Sequence, residues 1–206
     1  QGRYTEAEPL QQRSLAIYEK ALGPEHPDVA LSLSNLAELH RVQGRYAEAE
    51  ALQQRSLTIG EKALGPEHAD VSTSLNNLAL VYQAQGRYDD AEPLFKRSLT
   101  ITERALGPDH RHVGQLLNNL AELHRVQGRY TEAEPLQQRS LSIYERTHGP
   151  EHPDVAWSLD SLALVYQAQG RYADAEPLFK RSLTIMDKAL GPDHPNVGQL
   201  LNNLAE

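Results

Sequence analysis

The chain contains no cysteine, which excludes disulfides, thiolate metal sites and a cysteine nucleophile while leaving the redox compartment open. Long apolar runs are also missing, so no transmembrane helix is expected. The opening Gln1-Gly2-Arg3-Tyr4 has neither an initiator Met nor an apolar h-region, which argues against a signal peptide. A cytoplasmic location is the default expectation. Basic residues are in the minority, with 20 Lys and Arg against 28 Asp and Glu for a formal net charge of -8. That balance opposes phosphate-backbone binding, so nucleic acid is not expected as a partner. What remains is 206 residues, 39% apolar and 23% charged, the composition of a soluble folded chain able to bury a sizeable core.

The dominant positive signal is a repeat. Gln-Gly-Arg-Tyr begins at Gln1, Gln43, Gln85, Gln127 and Gln169, a period of 42 residues without insertion. Gly-Pro keeps the same beat from Gly23-Pro24 to Gly191-Pro192, as does the trio Asn35-Leu36-Ala37, Asn77-Leu78-Ala79, Asn119-Leu120-Ala121, Ser161-Leu162-Ala163 and Asn203-Leu204-Ala205. Four periods and a final 38 residues fill the sequence, so residues 1–206 read as one array of about five units, incomplete at each end.

Each period carries two helix signals. Thr5 with Glu8 and Thr131 with Glu134 have capping-box spacing, and Asp89 with Glu92 is a variant. Ala7, Leu10, Ser14, Leu15 and Ile17 draw an apolar stripe at helical spacing. Gly23-Pro24 closes that helix, since Gly accepts a left-handed cap and Pro cannot continue it. Pro9, repeated as Pro93, Pro135 and Pro177, falls near the fourth helical position, which suggests a start a residue or two later. The other helix begins near Pro27, with Asp28 at the positive end of its dipole, and runs through Val29, Leu33, Leu36, Ala37, Leu39 and His40 to the Gly44 break. Such hairpins cannot bury both faces alone and must stack.

Asn-Leu-Ala-x-x-Tyr-x-x-x-Gly-x-Tyr-x-x-Ala, from Asn77 to Ala91, resembles the tetratricopeptide repeat (TPR), with Ala79, Ala91, Tyr82 and Tyr88 where that family packs its two helices. The longer unit, with Ala-Glu-Pro-Leu-Phe-Lys-Arg-Ser-Leu at Ala91 to Leu99, is similar to the repeats of kinesin light chains and many bacterial TPR arrays. The resemblance implies an all-α, right-handed α-solenoid of stacked antiparallel helix pairs. The heptad segment by which kinesin light chains bind their motor is not present, so no motor role is carried over. Ala37-Glu-Leu-His-Arg-Val returns at Ala121 and Ala79-Leu-Val-Tyr-Gln-Ala at Ala163, an alternation that fits recent duplication or repeat engineering.

In the family the first helix of each hairpin lines a concave face that binds extended peptides or partner helices. The resemblance puts Asn35, Asn77, Asn119 and Asn203 at one inward position, a row interrupted by Ser161. Amide side chains there can pair with successive peptide groups, or simply bond neighbouring helices and water. The implied lining adds Glu38 and Arg41; Asn76, Leu80 and Gln83; Asn118, Glu122 and Arg125; and Trp157, Asp160, Leu164 and Gln167. Glu38 with Arg41, and Glu122 with Arg125, are spaced to pair with each other. Trp157 is the only Trp and holds an exposed-type position, either as an anchor for a partner or as a cover over the adjacent repeat. The basic cluster that chaperone-binding relatives use for a C-terminal carboxylate is not matched.

His26, His68, His110, His152 and His194 recur in the Gly-Pro-x-His loop, which fits a cap or brace better than chemistry. His40 and His124 take the slot of Tyr82 and Tyr166 and read as packing residues. Only His110-Arg111-His112 offers adjacent imidazoles, without an evident third ligand, so no metal or other cofactor is expected. A Gly-rich phosphate loop and a nucleophile elbow are both missing, and no enzymatic activity is expected. The expected role is a protein or peptide scaffold. The alternatives are a spacer or array that self-associates head to tail through open repeat ends, and a sensor segment of a larger signalling NTPase.

Overall fold

The computed structural model of the chain describes residues 2–205, with side chains described over 6–204. Among the described residues there are ten α-helices and no strand. They are α1 (Gly2–Leu22), α2 (Pro27–Val42), α3 (Tyr46–Leu64), α4 (Ala69–Ala84) and α5 (Tyr88–Leu106), then α6 (Arg111–Val126), α7 (Tyr130–His148), α8 (Pro153–Ala168), α9 (Tyr172–Leu190) and α10 (Pro195–Ala205). Helices α2, α4, α6 and α8 have 16 residues and are called A helices here, together with α10. The 19-residue α3, α5, α7 and α9, together with α1, are B helices. The chain divides into two compact units, residues 1–105 and 106–206. In the first, α1 packs on α2, α2 on α3 and α3 on α4; in the second, α6 packs on α7, α7 on α8, α8 on α9 and α9 on α10.

Small residues bring each A helix against its B helix. Ala37 and Ala49 meet with Val81 in one cluster, Ala121 and Ala133 with Val165 in another, and Ala163 and Ala175 with Phe179 in a third. These alanines, with Ala79 and Ala91, are at most 2% exposed. A methyl side chain leaves the backbones free to approach, and the approach permits a buried hydrogen bond in every hairpin. Ser56 donates to the Ala30 carbonyl at 2.7 Å, Ser98 to Ser72 at 2.7 Å, Ser140 to Gly114 at 2.8 Å and Ser182 to Ala156 at 2.8 Å.

The two turns explain the two sequence markers. At the Gly-Pro turn, Gly65 has φ +92 and ψ 152, an extended positive-φ conformation open essentially to glycine alone. It is therefore not the helical left-handed cap that the sequence suggested. Pro66 follows, and His68 caps α4 by accepting the Asp70 N–H on Nδ1 at 3.2 Å. His26, His110, His152 and His194 cap the next helix in the same way, so the loop histidines do brace their loops. At the Gln-Gly-Arg turn, Gly86 has φ +75 and the Arg87 N–H reaches back to the Tyr82 carbonyl at 2.9 Å. The Arg87 guanidinium lies over the Tyr82 ring, 4.1 Å from its centroid, and donates to Glu50 of the preceding B helix at 2.9 Å. In the second unit Arg171 lies over Tyr166 and donates to Glu134. The tetrad is thus a turn and a strap between successive repeats.

Three further expectations are corrected. The proposed capping boxes do not form at α7 and α5: those helices begin at Tyr130 and Tyr88, one residue before Thr131 and Asp89. The cap of α7 is Arg129, without a side-chain cap bond, and Glu134 is taken by Arg171 and Gln169. The Thr5 side chain of the first box lies outside the described residues. The helix starts are earlier, not later, than the prolines suggested, so Pro93, Pro135 and Pro177 occupy the sixth helical position, and a straight helix there forfeits one amide bond. The stripe on α1 is only partly covered, for Leu10 and Ile17 are exposed while Ala7, Ser14 and Leu15 are half-buried.

If the alanine contact sets helix spacing, enlarging it must force the helices apart. Ala49→Leu is expected to cost about 1–3 kcal/mol, read as a fall in the urea midpoint at unchanged slope. A neutral outcome would show that the contact tolerates a larger side chain.

Candidate peptide-binding face

The residues expected at a ligand face all lie on A helices, and the structure gives them unequal roles. In the first unit, Arg41 donates twice to Glu38 at 2.7 Å, and this hydrogen bonding raises the Arg41 pKa above its ordinary value. Asn35 and Glu38 are exposed and border an open hollow of about 360 Å³ with Gln11, Leu39 and Val42. Asn77 spends its amide locally: Nδ2 donates to Ser34 Oγ at 3.2 Å, while Oδ1 accepts from Asn76 at 3.3 Å. Asn76 is buried, and Leu80 and Gln83 are half-buried.

In the second unit, Arg125 pairs doubly with Glu122 at 2.7 Å, matching α2, as the alternating sequence requires. Asn118 and Asn119 are half-buried on α6. Trp157 is half-buried rather than exposed and packs against the cluster of Val155, Leu159, Ile185 and Met186. Leu164 packs against the Ala163–Ala175–Phe179 cluster. Gln167 and Asn203 come together at a hollow of about 410 Å³ with Tyr172 and Phe179. Asn203 also donates to both oxygens of Asp160 at 3.1 Å. The asparagine position therefore works at least twice as a tie to the preceding repeat, at Asn77 and Asn203.

Asp160 is 4% exposed. Burial raises its pKa, and the Asn203 hydrogen bonds pull the other way.

His40 and His124 are buried, as packing residues in the tyrosine slot should be. His110 and His112 meet edge to face at 4.9 Å, and burial, then His110 and Arg111, lower the His112 pKa. A second imidazole pair, His148 with His152, stacks at 4.6 Å. The sequence gives no sign of it, because the pair straddles a helix end and a turn.

The face holds one further concavity that the sequence reading did not name. A notch of about 220 Å³ opens between α2, α3 and α4, lined by Leu31, Ser34, Gly60, Leu64, Thr73 and Ser74, among others, with Asp28 and Asp70 also bordering it. Its cause is Gly60. The same repeat position holds Tyr18, Thr102, Tyr144 and Met186, so only this repeat lacks the side chain that would occupy the space. Reading down the repeat column was the signal that could have found it.

Paired helices of fixed length, closed by alanines and joined by glycine turns, define a helical-repeat protein of the α-solenoid class. The tetratricopeptide-repeat family model matches residues 1–41, 28–104, 70–125, 112–188 and 160–206, and the chain belongs to that family. Its fold is similar to the crystal structure of BtubC (BKLC) from P. vanneervenii, at 27% identity and TM-score 0.79, covering 95% of this chain and 77% of that one. It is also similar to nearly identical TPR-like repeats of a kinesin light chain candidate from Podosopora anserina. One crystal structure of these matches at 30% identity and TM-score 0.74 over 92% of this chain and 90% of that one. A point-substituted form of the same repeats matches at 30% identity and TM-score 0.76 over 91% and 89%. Among curated proteins none matches the chain significantly. TPR repeats generally mediate protein–protein interaction, and proteins built from them are generally non-catalytic scaffolds. No helix among the described residues is long and apolar enough to cross a membrane.

The buried Asp160 gives a pH test. Because its folded pKa is raised, the folded state keeps the proton to higher pH than the unfolded chain does. Stability therefore falls as pH rises from the unfolded value through the folded one, and stays lower above it. Asp160→Asn installs the residue found at the equivalent positions 76, 118 and 202 and removes this loss. Its melting temperature should exceed the parent's at about pH 7 by more than at about pH 4; an equal difference at both would contradict a buried charge.

Proposed function

We propose that the chain is a protein-interaction scaffold whose A-helix side takes an extended peptide or a partner helix. The observation that carries this reading is the Gly60 notch. Helix α2 packs on both α1 and α3, and α4 packs on α3 and, through Val71, Leu75 and Ile101, on α5. The space therefore arises from a missing side chain within a completed repeat. Leu31, 62% exposed, stands beside it, an apolar contact offered to solvent at the mouth of a mostly apolar concavity. Such a shape takes an apolar anchor residue. Asp28 and Asp70, both exposed, favour a basic residue beside that anchor, and the net charge of -8 acts in the same sense at longer range.

The asparagine row is given a smaller part than the sequence implied. Asn77 and Asn203 are engaged with the preceding repeat, so substituting them would disturb packing as well as recognition. Gly60 is the cleaner handle, because Met186 shows that the repeat accommodates a long side chain at this position.

The test is a peptide-library selection on the purified chain beside Gly60→Met. The expected outcome is enrichment by the parent of peptides with an apolar residue next to Lys or Arg, lost in the variant. A parent that is folded by circular dichroism yet enriches nothing, or enriches the same motif as the variant, overturns the proposal and favours a spacer role.

A further inference from the structure

Four of the five B helices end on Ala-Leu: Ala21-Leu22, Ala63-Leu64, Ala105-Leu106 and Ala189-Leu190. Helix α7 ends instead on Thr147-His148. The Thr147 hydroxyl donates to the Ile143 carbonyl at 2.8 Å, so its oxygen meets His148 Nδ1, 3.1 Å away, as an acceptor. Nδ1 is then the protonated nitrogen, and Nε2 of His148 keeps its lone pair. That Nε2 lies 4.0 Å from Asp154 Oδ2. From the other side, His152 Nδ1 accepts the Asp154 N–H at 3.2 Å and lies 3.6 Å from the same Oδ2. One donor atom from each of the three residues falls within 4.8 Å of the other two. Two imidazoles and a carboxylate are thus gathered in one small volume, where a cation would be attracted by all three.

We propose that His148, His152 and Asp154 form a binding site for a divalent transition-metal ion of the zinc type. Two imidazoles and a carboxylate suit zinc, nickel or copper(II) rather than magnesium or calcium, which prefer oxygen alone. Three protein ligands leave the remaining coordination position to water. Zinc–nitrogen bonds of about 2.0–2.1 Å set donor atoms about 3.3 Å apart in a tetrahedron, so the carboxylate contacts have only a short distance to close. His148 ends its helix, and His152 and Asp154 are partly exposed, so the side chains have room to do so. The Thr147 hydroxyl acts as the outer partner that fixes the ligand tautomer. A neutral imidazole has a single lone-pair nitrogen, which in His152 accepts the Asp154 N–H, so coordination through either nitrogen exchanges the helix cap for the metal bond. The other loops lack this set, because leucine stands where His148 does.

The test is calorimetric titration of the tag-free, chelator-treated 206-residue chain with Zn²⁺, beside His148→Leu and Asp154→Asn. The first variant restores the residue of the other four repeats and the second matches Asn196, so both keep the repeat's own composition; circular dichroism checks their fold. One zinc per chain is expected for the parent, weakened about tenfold or more in each variant. With Co²⁺ as probe, the parent should give a visible ligand-field spectrum that His148→Leu abolishes. Equal Zn²⁺ affinity in parent and His148→Leu, uptake without a defined stoichiometry, or no uptake at all overturns the site.

Discussion

The meeting of an A-helix alanine with a B-helix alanine sets how near the two helices of a hairpin can lie. Ala37 with Ala49 and Ala121 with Ala133 are fully buried and share their clusters with a valine from the next A helix, Val81 or Val165. One contact thus joins hairpin closure to repeat stacking. The close approach brings Ser56, Ser98, Ser140 and Ser182 within hydrogen-bond distance of A-helix carbonyls. Those hydroxyls are satisfied without water, and the buried bonds fix one helix against the other. The arginine straps from Arg87 to Glu50 and Arg171 to Glu134 lie at the surface and are screened by solvent. They orient successive repeats more than they stabilise them.

With the buried contacts this uniform, individuality resides where one repeat departs from the others. Gly60 leaves a notch where its equivalents carry larger side chains. Thr147-His148 turns an apolar helix end into a convergence of nitrogen and oxygen donors. Asp160 places a carboxylate where the other repeats have Ser34, Asn76, Asn118 and Asn202. Each departure sits in a frame that the neighbouring repeats support, so new chemistry arises at little risk to the fold. This is the general logic of repeat proteins, whose stability is a sum of similar local terms.

Much of the fold was legible because the period is strict. The Gly-Pro and Gln-Gly-Arg-Tyr markers lie within three residues of the ends of helices α1 to α9, and the loop histidines reveal themselves as braces by recurring. What misled was local propensity. Thr131 and Glu134 have capping-box spacing, but the Arg171 strap claims Glu134 from the next repeat, and α7 starts before the threonine. The site was less legible, because a residue's helix can be read from a repeat while its partners cannot. Asn77 and Asn203 look like free amides in the sequence, yet their partners Ser34 and Asp160 lie 43 residues away. His148 and His152 are separated by a helix end and a glycine turn, a path whose direction no spacing rule supplies. The register of Trp157 leaves open a partner anchor or a cover over the adjacent repeat, while Val155, Leu159, Ile185 and Met186 provide a surface that half covers it.

Native-state amide hydrogen exchange tests most directly whether the alanine contacts hold the hairpins together. Slowest exchange is expected at the amides around Ala37, Ala49, Ala79, Ala91, Ala121, Ala133, Ala163 and Ala175, with fast exchange in the Gly-Pro-x-His loops. Protection that is no greater at those alanines than along the exposed faces of the same helices would contradict it.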